Sequence, residues 1–178
     1  MPFNPDRVKI SYKKVTGKSI SAALKNDIKN YISCKSPHRK ADAINTIVND
    51  LITETNKQIT SKIMVDCGTQ CIGTSTIAKA KVLFKKSRDI KEFLQKLNEK
   101  SIGGGRLKLS EGIVTGGYDR CYCGSVSKSR IVIPLEYCSC SAGWYQKLFE
   151  ETLSKEVKVE IENSIINGST SCDFKIYI

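Results

Sequence analysis

Cysteine is the residue type that offers chemistry in this sequence. Cys121 and Cys123 stand as C-x-C in YDRCYCGS, Cys138 and Cys140 as a second C-x-C in LEYCSCSAGW, and Cys67 and Cys71 as C-x-x-x-C in DCGTQC. Thiolates are soft donors that sit about 2.3 Å from Zn²⁺ in a four-coordinate tetrahedron, and two close pairs let each short segment supply two of them. In an extended segment residues i and i+2 share a face, so both thiols of a C-x-C point the same way. The competing use is packing, because cysteine is among the most buried residue types. Cys67 and Cys71 would share one face of a helix, where they could complete a metal site or act as a dithiol. Their spacing is not the C-x-x-C of thiol oxidoreductases. Cys34 stands alone and reads as structural.

Other chemistries find little support. The single histidine, His38, has no carboxylate or serine partner in sequence, which argues against a His-dependent triad. GGGR and GIVTGG lack the strand-glycine-helix context and the GK[ST] ending of nucleotide-binding loops. Glu150 with Glu151, and Glu160 with Glu162, read as solvated pairs. No catalytic residue is assigned, and whether the chain is an enzyme stays open.

The elements that must position the thiols follow from composition and periodicity. A chain of 178 residues with 40% hydrophobic and 26% charged residues is globular and long enough to bury a core without covalent staples. No apolar run reaches the roughly 18 residues of a membrane span, and the start lacks the apolar stretch of a secretory signal. The expected location is therefore the cytoplasm, where thiols stay reduced and paired cysteines point to metal or thiol chemistry. Residues 1–40 carry ten Lys/Arg against two acids, residues 41–100 ten against seven, and the rest nine against nine. The basic excess is mostly lysine with few aromatics between, which reads as a solvated face and argues against a nucleic-acid partner.

Residues 17–34 place Ile20, Leu24, Ile28 and Ile32 four apart, a helical stripe. A second helix opens at Ser36 and Pro37 and runs through Ala41, Ile44, Ile47, Val48 and Leu51 to about Glu54. Ile59 to Val65 resist assignment, while Ser75 to Phe84 and Ser87 to Leu97 read as helices. At Gly103-Gly104-Gly105 the pattern changes, and RLKLS, EGIVTGGY and SRIVIPLEY read as strands. Residues 141–153 return to helical spacing. Val157, Val159 and Ile161, then Phe174, Ile176 and Ile178, alternate as two strands of a hairpin turning at NGS. The expected fold is α+β, one domain over 1–178, its helical N-terminal half (1–100) packed on a C-terminal antiparallel sheet with one long helix (104–178).

Taken together, Cys140-Ser141-Ala142-Gly143-Trp144, then Leu148-Phe149, Leu153, VKVEIE, Gly168 and Cys172-Asp173-Phe174-Lys175-Ile176 form a frame. It resembles the 4-vinyl reductase domain superfamily, over roughly residues 138–178, and is most similar to its bacterial and archaeal branch with doubled cysteine pairs. The resemblance implies helices covering an antiparallel sheet around a small-molecule pocket. It also implies a zinc held by cysteines at the helix start and in the Gly-x-x-x-Cys turn, here Cys140 and Cys172. A further cysteine of that family falls near Ser164, which replaces a thiolate poorly, so the site is not reproduced intact.

The expected function is a zinc-binding domain that binds or senses a small apolar ligand. Metal ligands would come from Cys121, Cys123, Cys138, Cys140 and Cys172, with Cys67 and Cys71 as lesser candidates, and the pocket would be lined by Trp144 and Phe149. The alternative is an iron–sulfur or thiol-dependent redox enzyme. A homodimer is left open.

Overall fold

The computed structural model describes residues 3–124, 129 and 131–178. Six helices come first: α1 (Pro5–Thr16), α2 (Ala22–Ser33), α3 (Pro37–Glu54), α4 (Lys57–Thr69), α5 (Thr74–Lys85) and α6 (Ile90–Glu99). Strands β1 (Lys108–Ser110) and β2 (Ile113–Tyr118) follow, then helix α7 (Ser139–Leu153), β3 (Lys158–Asn163) and β4 (Cys172–Tyr177). The fold is α+β. The four strands form one antiparallel sheet in the order β1-β2-β4-β3.

Two hydrophobic cores flank α7. On one side Leu24, Ile28, Ile44, Ile47, Leu51 and Ile63 pack α1 to α4 together. On the other, Phe93, Leu97, Val114, Phe149, Phe174 and Ile176 join α6, the sheet and α7. The N-terminal helices thus reach the sheet chiefly through α7, which packs extensively on α4. That crossing is close because both helices present glycine. A Cβ on Gly68 of α4 would stand 2.0 Å from the Cys140 carbonyl oxygen, and one on Gly143 of α7 would stand 1.9 Å from that of Val65.

Local chemistry explains most boundaries. Asn4 caps α1, its Oδ1 accepting from the Asp6 and Arg7 amides, with Pro5 at the first helical position. Asp89 caps α6, accepting from the Glu92 amide, so that helix begins at Ile90, three residues after Ser87. In α2 the buried face is Leu24, Ile28 and Tyr31, while Ile32 is 59% exposed. At 3.6 residues per turn a step of eight residues from Leu24 drifts about 80°, whereas a step of seven drifts about 20°, and Tyr31 takes the inward place.

The run SRIVIPLEY is not a strand where it is described; Arg130 lies outside the described residues. Pro134 supplies no amide proton to a ladder, and it opens a 3₁₀ turn, Leu135–Cys138, that leads directly into α7. Ile133 is buried in the helical core while Val132 is 77% exposed. No helix among the described residues is long and apolar enough to cross a membrane.

Candidate functional site

A chamber of about 370 Å³ lies at the seam between the two cores, and seven of the eight cysteines border it. Cys67 comes from the last turn of α4 and Cys71 from just beyond it, Cys121 and Cys123 from the irregular segment after β2, Cys138 and Cys140 from the junction into α7, and Cys172 from the first residue of β4. Cys34, beyond the end of α2, is the one outside it; its thiol donates to the Ser36 carbonyl at 3.6 Å.

Glycine sets the floor. Gly103, Gly104 and Gly105 all have left-handed φ, at 77°, 88° and 79°. The Tyr145 hydroxyl donates to the Gly103 carbonyl at 2.9 Å and anchors this loop. A Cβ on Gly104 would lie 1.9 Å from the Gly117 oxygen, and one on Gly117 would lie 1.8 Å from the Cys172 oxygen. Loop, β2 and β4 therefore stack backbone on backbone, which fixes Cys172 beneath the chamber. Arg106 secures the same corner, donating to the Cys172 carbonyl at 3.2 Å and pairing with Asp173 at 2.8 Å.

The thiols lie in two neighbourhoods. Cys121, Cys123 and Cys140 stand near enough to shift one another's ionisation, and the Cys121 thiol donates to the Cys123 carbonyl at 4.0 Å. The Cys123 side chain, then burial, pushes the Cys121 thiol far up. For Cys123 the bond from Cys121 pulls down, but the Cys140 thiol and burial outweigh it and leave the group at about 12. In the second neighbourhood the Cys138 thiol and the Ser164 hydroxyl are 2.9 Å apart, and Ser164 Oγ is 4.0 Å from Cys172 Sγ. Burial pushes Cys138 up to about 12, and Cys67 likewise. Cys67, Cys121, Cys123 and Cys138 are therefore protonated at neutral pH. Tyr118 and Tyr137 also border the chamber, and burial holds both phenols neutral.

Among the described residues no group of three or more His, Cys, Asp or Glu side chains is drawn together closely enough to hold a metal ion. The donor chemistry nonetheless fits a thiophilic one. Among the described residues no histidine, aspartate or glutamate lines the chamber, so a metal there would have to be held by thiols. Converging them requires the loss of protons that now satisfy one another.

Trp144 lines the chamber as the sequence suggests. Phe149 does not: it is fully buried in the sheet-side core, edge-on to Phe93 at 6.4 Å between ring centroids. Five positions from Trp144 is a turn and a half of helix, which carries Phe149 toward the opposite side of α7. The C-x-C pairs share the chamber, yet not by alternation along strands, since neither pair lies in one. Sequence reasoning missed Arg7, Tyr118 and Tyr137, while Ser164, the position where the resemblance places a further cysteine, stands between Cys138 and Cys172. The Asn4-Pro5 start was an available signal for α1, and hence for Arg7.

The chain matches, over residues 6–178, a family described as a family of unknown function (DUF6144). It belongs to that family. Among curated proteins nothing matches. Among solved structures the fold is similar to trafficking protein particle complex subunit 3 from Naegleria fowleri, a structure in which that subunit is covalently bound to palmitic acid. The TM-score is 0.50 at 11% identity, covering 79% of this chain and 93% of that one.

Proposed function

We propose that this member of the DUF6144 family is a ligand-binding or sensory domain whose cysteine chamber holds a thiophilic metal, zinc in the first instance. The observation that carries the reading is the gathering of seven thiols from four separate stretches of chain around one cavity. Packing alone has no need to bring so many thiols to one wall. Cys121, Cys123 and Cys140 are the first ligands, being already neighbours, and Cys138 or Cys172 would complete the set. Zinc bound by four thiolates is closed to water and serves structure. The rest of the chamber, beside Tyr118, Tyr137 and Trp144, would take a small apolar ligand. Palmitic acid on the trafficking-complex subunit makes an acyl chain the first compound to screen. The resemblance of residues 138–178 to 4-vinyl reductase domains supports the same reading.

The test is elemental analysis with an absorption spectrum on protein purified without oxygen or added metal, followed by chelation. One colourless zinc whose removal lowers the melting temperature is the expected result. Metal-free protein as stable as the native one would overturn it. A second reading, an iron–sulfur protein, draws on the same thiols, since four cysteines hold a cluster as four hold zinc; its mark is iron with visible charge-transfer absorption.

A further inference from the structure

Among the described residues Arg7 is the one Lys or Arg that lines the chamber. It sits in the first turn of α1, held by the cap at Asn4, which lines the cavity as well. Its Nη1 donates to Cys71 Sγ at 2.8 Å. A guanidinium carries five N–H donors and one full positive charge at any pH of interest. Among the described residues no carboxylate pairs with it, although ten other ion pairs are formed. Nor does a carboxylate among the described residues line the cavity.

A cation against an apolar wall without a counter-ion is costly, and most proteins place a carboxylate there. Here Phe3, Val8, Met64 and Tyr137 line the cavity together with Arg7, so the charge stands among aromatic and aliphatic side chains. One edge of the guanidinium is engaged by sulfur, and a planar fork of this kind suits a carboxylate, sulfonate or phosphate group.

We infer that the chamber selects an apolar ligand bearing one anionic group, whose ring or chain lies along Tyr118 and Trp144 while its anion pairs with Arg7. This rests on the reading of the cavity as a ligand chamber, and not on the metal. Neutral molecules of the same shape would gain the apolar contacts but leave the guanidinium unpaired. Discrimination of about tenfold is the scale expected for one charge-assisted contact.

Trp144 is the only tryptophan in the chain and lines the cavity, so energy transfer from its emission reports occupancy at this place. Two naphthalene dyes of the same ring system, anilinonaphthalene sulfonate and neutral phenylnaphthylamine, are titrated into the full chain. The sulfonate is expected to bind about tenfold more tightly. Arg7→Gln should bring its affinity down to that of the neutral dye without moving the latter, and Arg7→Lys should keep most of the preference. Equal affinity of the two dyes in the native chain, or a parallel loss of both in Arg7→Gln, overturns the inference while leaving the ligand chamber standing. Failure of both dyes to quench Trp144 removes the chamber reading itself, and this inference with it.

Discussion

At the scale of single residues Ser164 is the most informative position. Its hydroxyl is 2% exposed and stands between two thiols, 2.9 Å from Cys138 Sγ and 4.0 Å from Cys172 Sγ. Oxygen there satisfies the thiols but is a weak donor to a soft metal. Ser164→Cys would set a third sulfur between the other two with a nearly conserved shape. Zinc affinity, measured by competition with a chelating dye, is expected to rise at least tenfold. An unchanged affinity would place the metal away from Cys138 and Cys172, toward Cys121, Cys123 and Cys140. The thiols also set a pH dependence. Cys67, Cys123 and Cys138 are raised from 9.0 to about 12 in the fold, so the folded state favours their protonated forms. Their stabilising contribution is complete below pH 9 and is lost as pH rises toward 12. The denaturation midpoint of metal-free protein should fall over that window, and Cys67→Ala should flatten the fall. A midpoint independent of pH above 9 would show that these thiols ionise freely.

At the scale of elements the crossing of α4 with α7 decides whether the chamber exists. Gly68 stands between the two cysteines of DCGTQC and presses on the backbone of Cys140, and Gly143 returns the contact on Val65. Because the atoms met are carbonyls of a helix, they have no side-chain freedom with which to give way. Gly68→Ala should therefore push the helices apart and cost about 1–3 kcal/mol, the range for overpacking. For a chain of this length that is a fall of several degrees in melting temperature. Zinc stoichiometry should drop in the same variant, whereas an exposed control such as Gly112→Ala, which meets nothing within 4 Å, should keep it, though its left-handed φ of 78° costs some stability. Full zinc binding by Gly68→Ala would mean that the two segments do not serve one site. The sequence shows why this crossing was hard to see. Period and capping reveal α3 to within a residue, and they reveal α5, α7 and both hairpin strands. They carry no information about which helix meets which. A lone glycine inside helical spacing reads as a weak point until its partner is known.

At the scale of the whole molecule the chamber lies on a seam rather than within a core, and this divides what was legible from what was not. The α+β order and the break at Gly103-Gly104-Gly105 follow from local chemistry, because left-handed φ and hydrophobic period are written in adjacent residues. The membership of the chamber is a long-range fact. Cys67 and Cys140 come to one chamber through the crossing of α4 and α7, Arg7 reaches Cys71 across sixty-four positions, and Phe149 turns away although it shares a helix with Trp144. A seam site has an energetic consequence. Cys121, Cys123 and Cys140 pack against the helical core, and Cys172 belongs to the sheet-side core. A metal that drew ligands from both groups would couple the two cores, since binding free energy that exists only in the folded state adds to stability. With metal bound, thermal unfolding followed by Trp144 emission, which reports the sheet side, should coincide with unfolding followed by helical circular dichroism. After chelation the two transitions should separate, the helical signal starting to fall first because α1 to α4 would then hold to α7 by apolar contact alone. Coincident transitions at an unchanged temperature would show that the glycine crossing, not a metal, joins the cores. Coincident transitions at a lower temperature would place every ligand on one side of the seam.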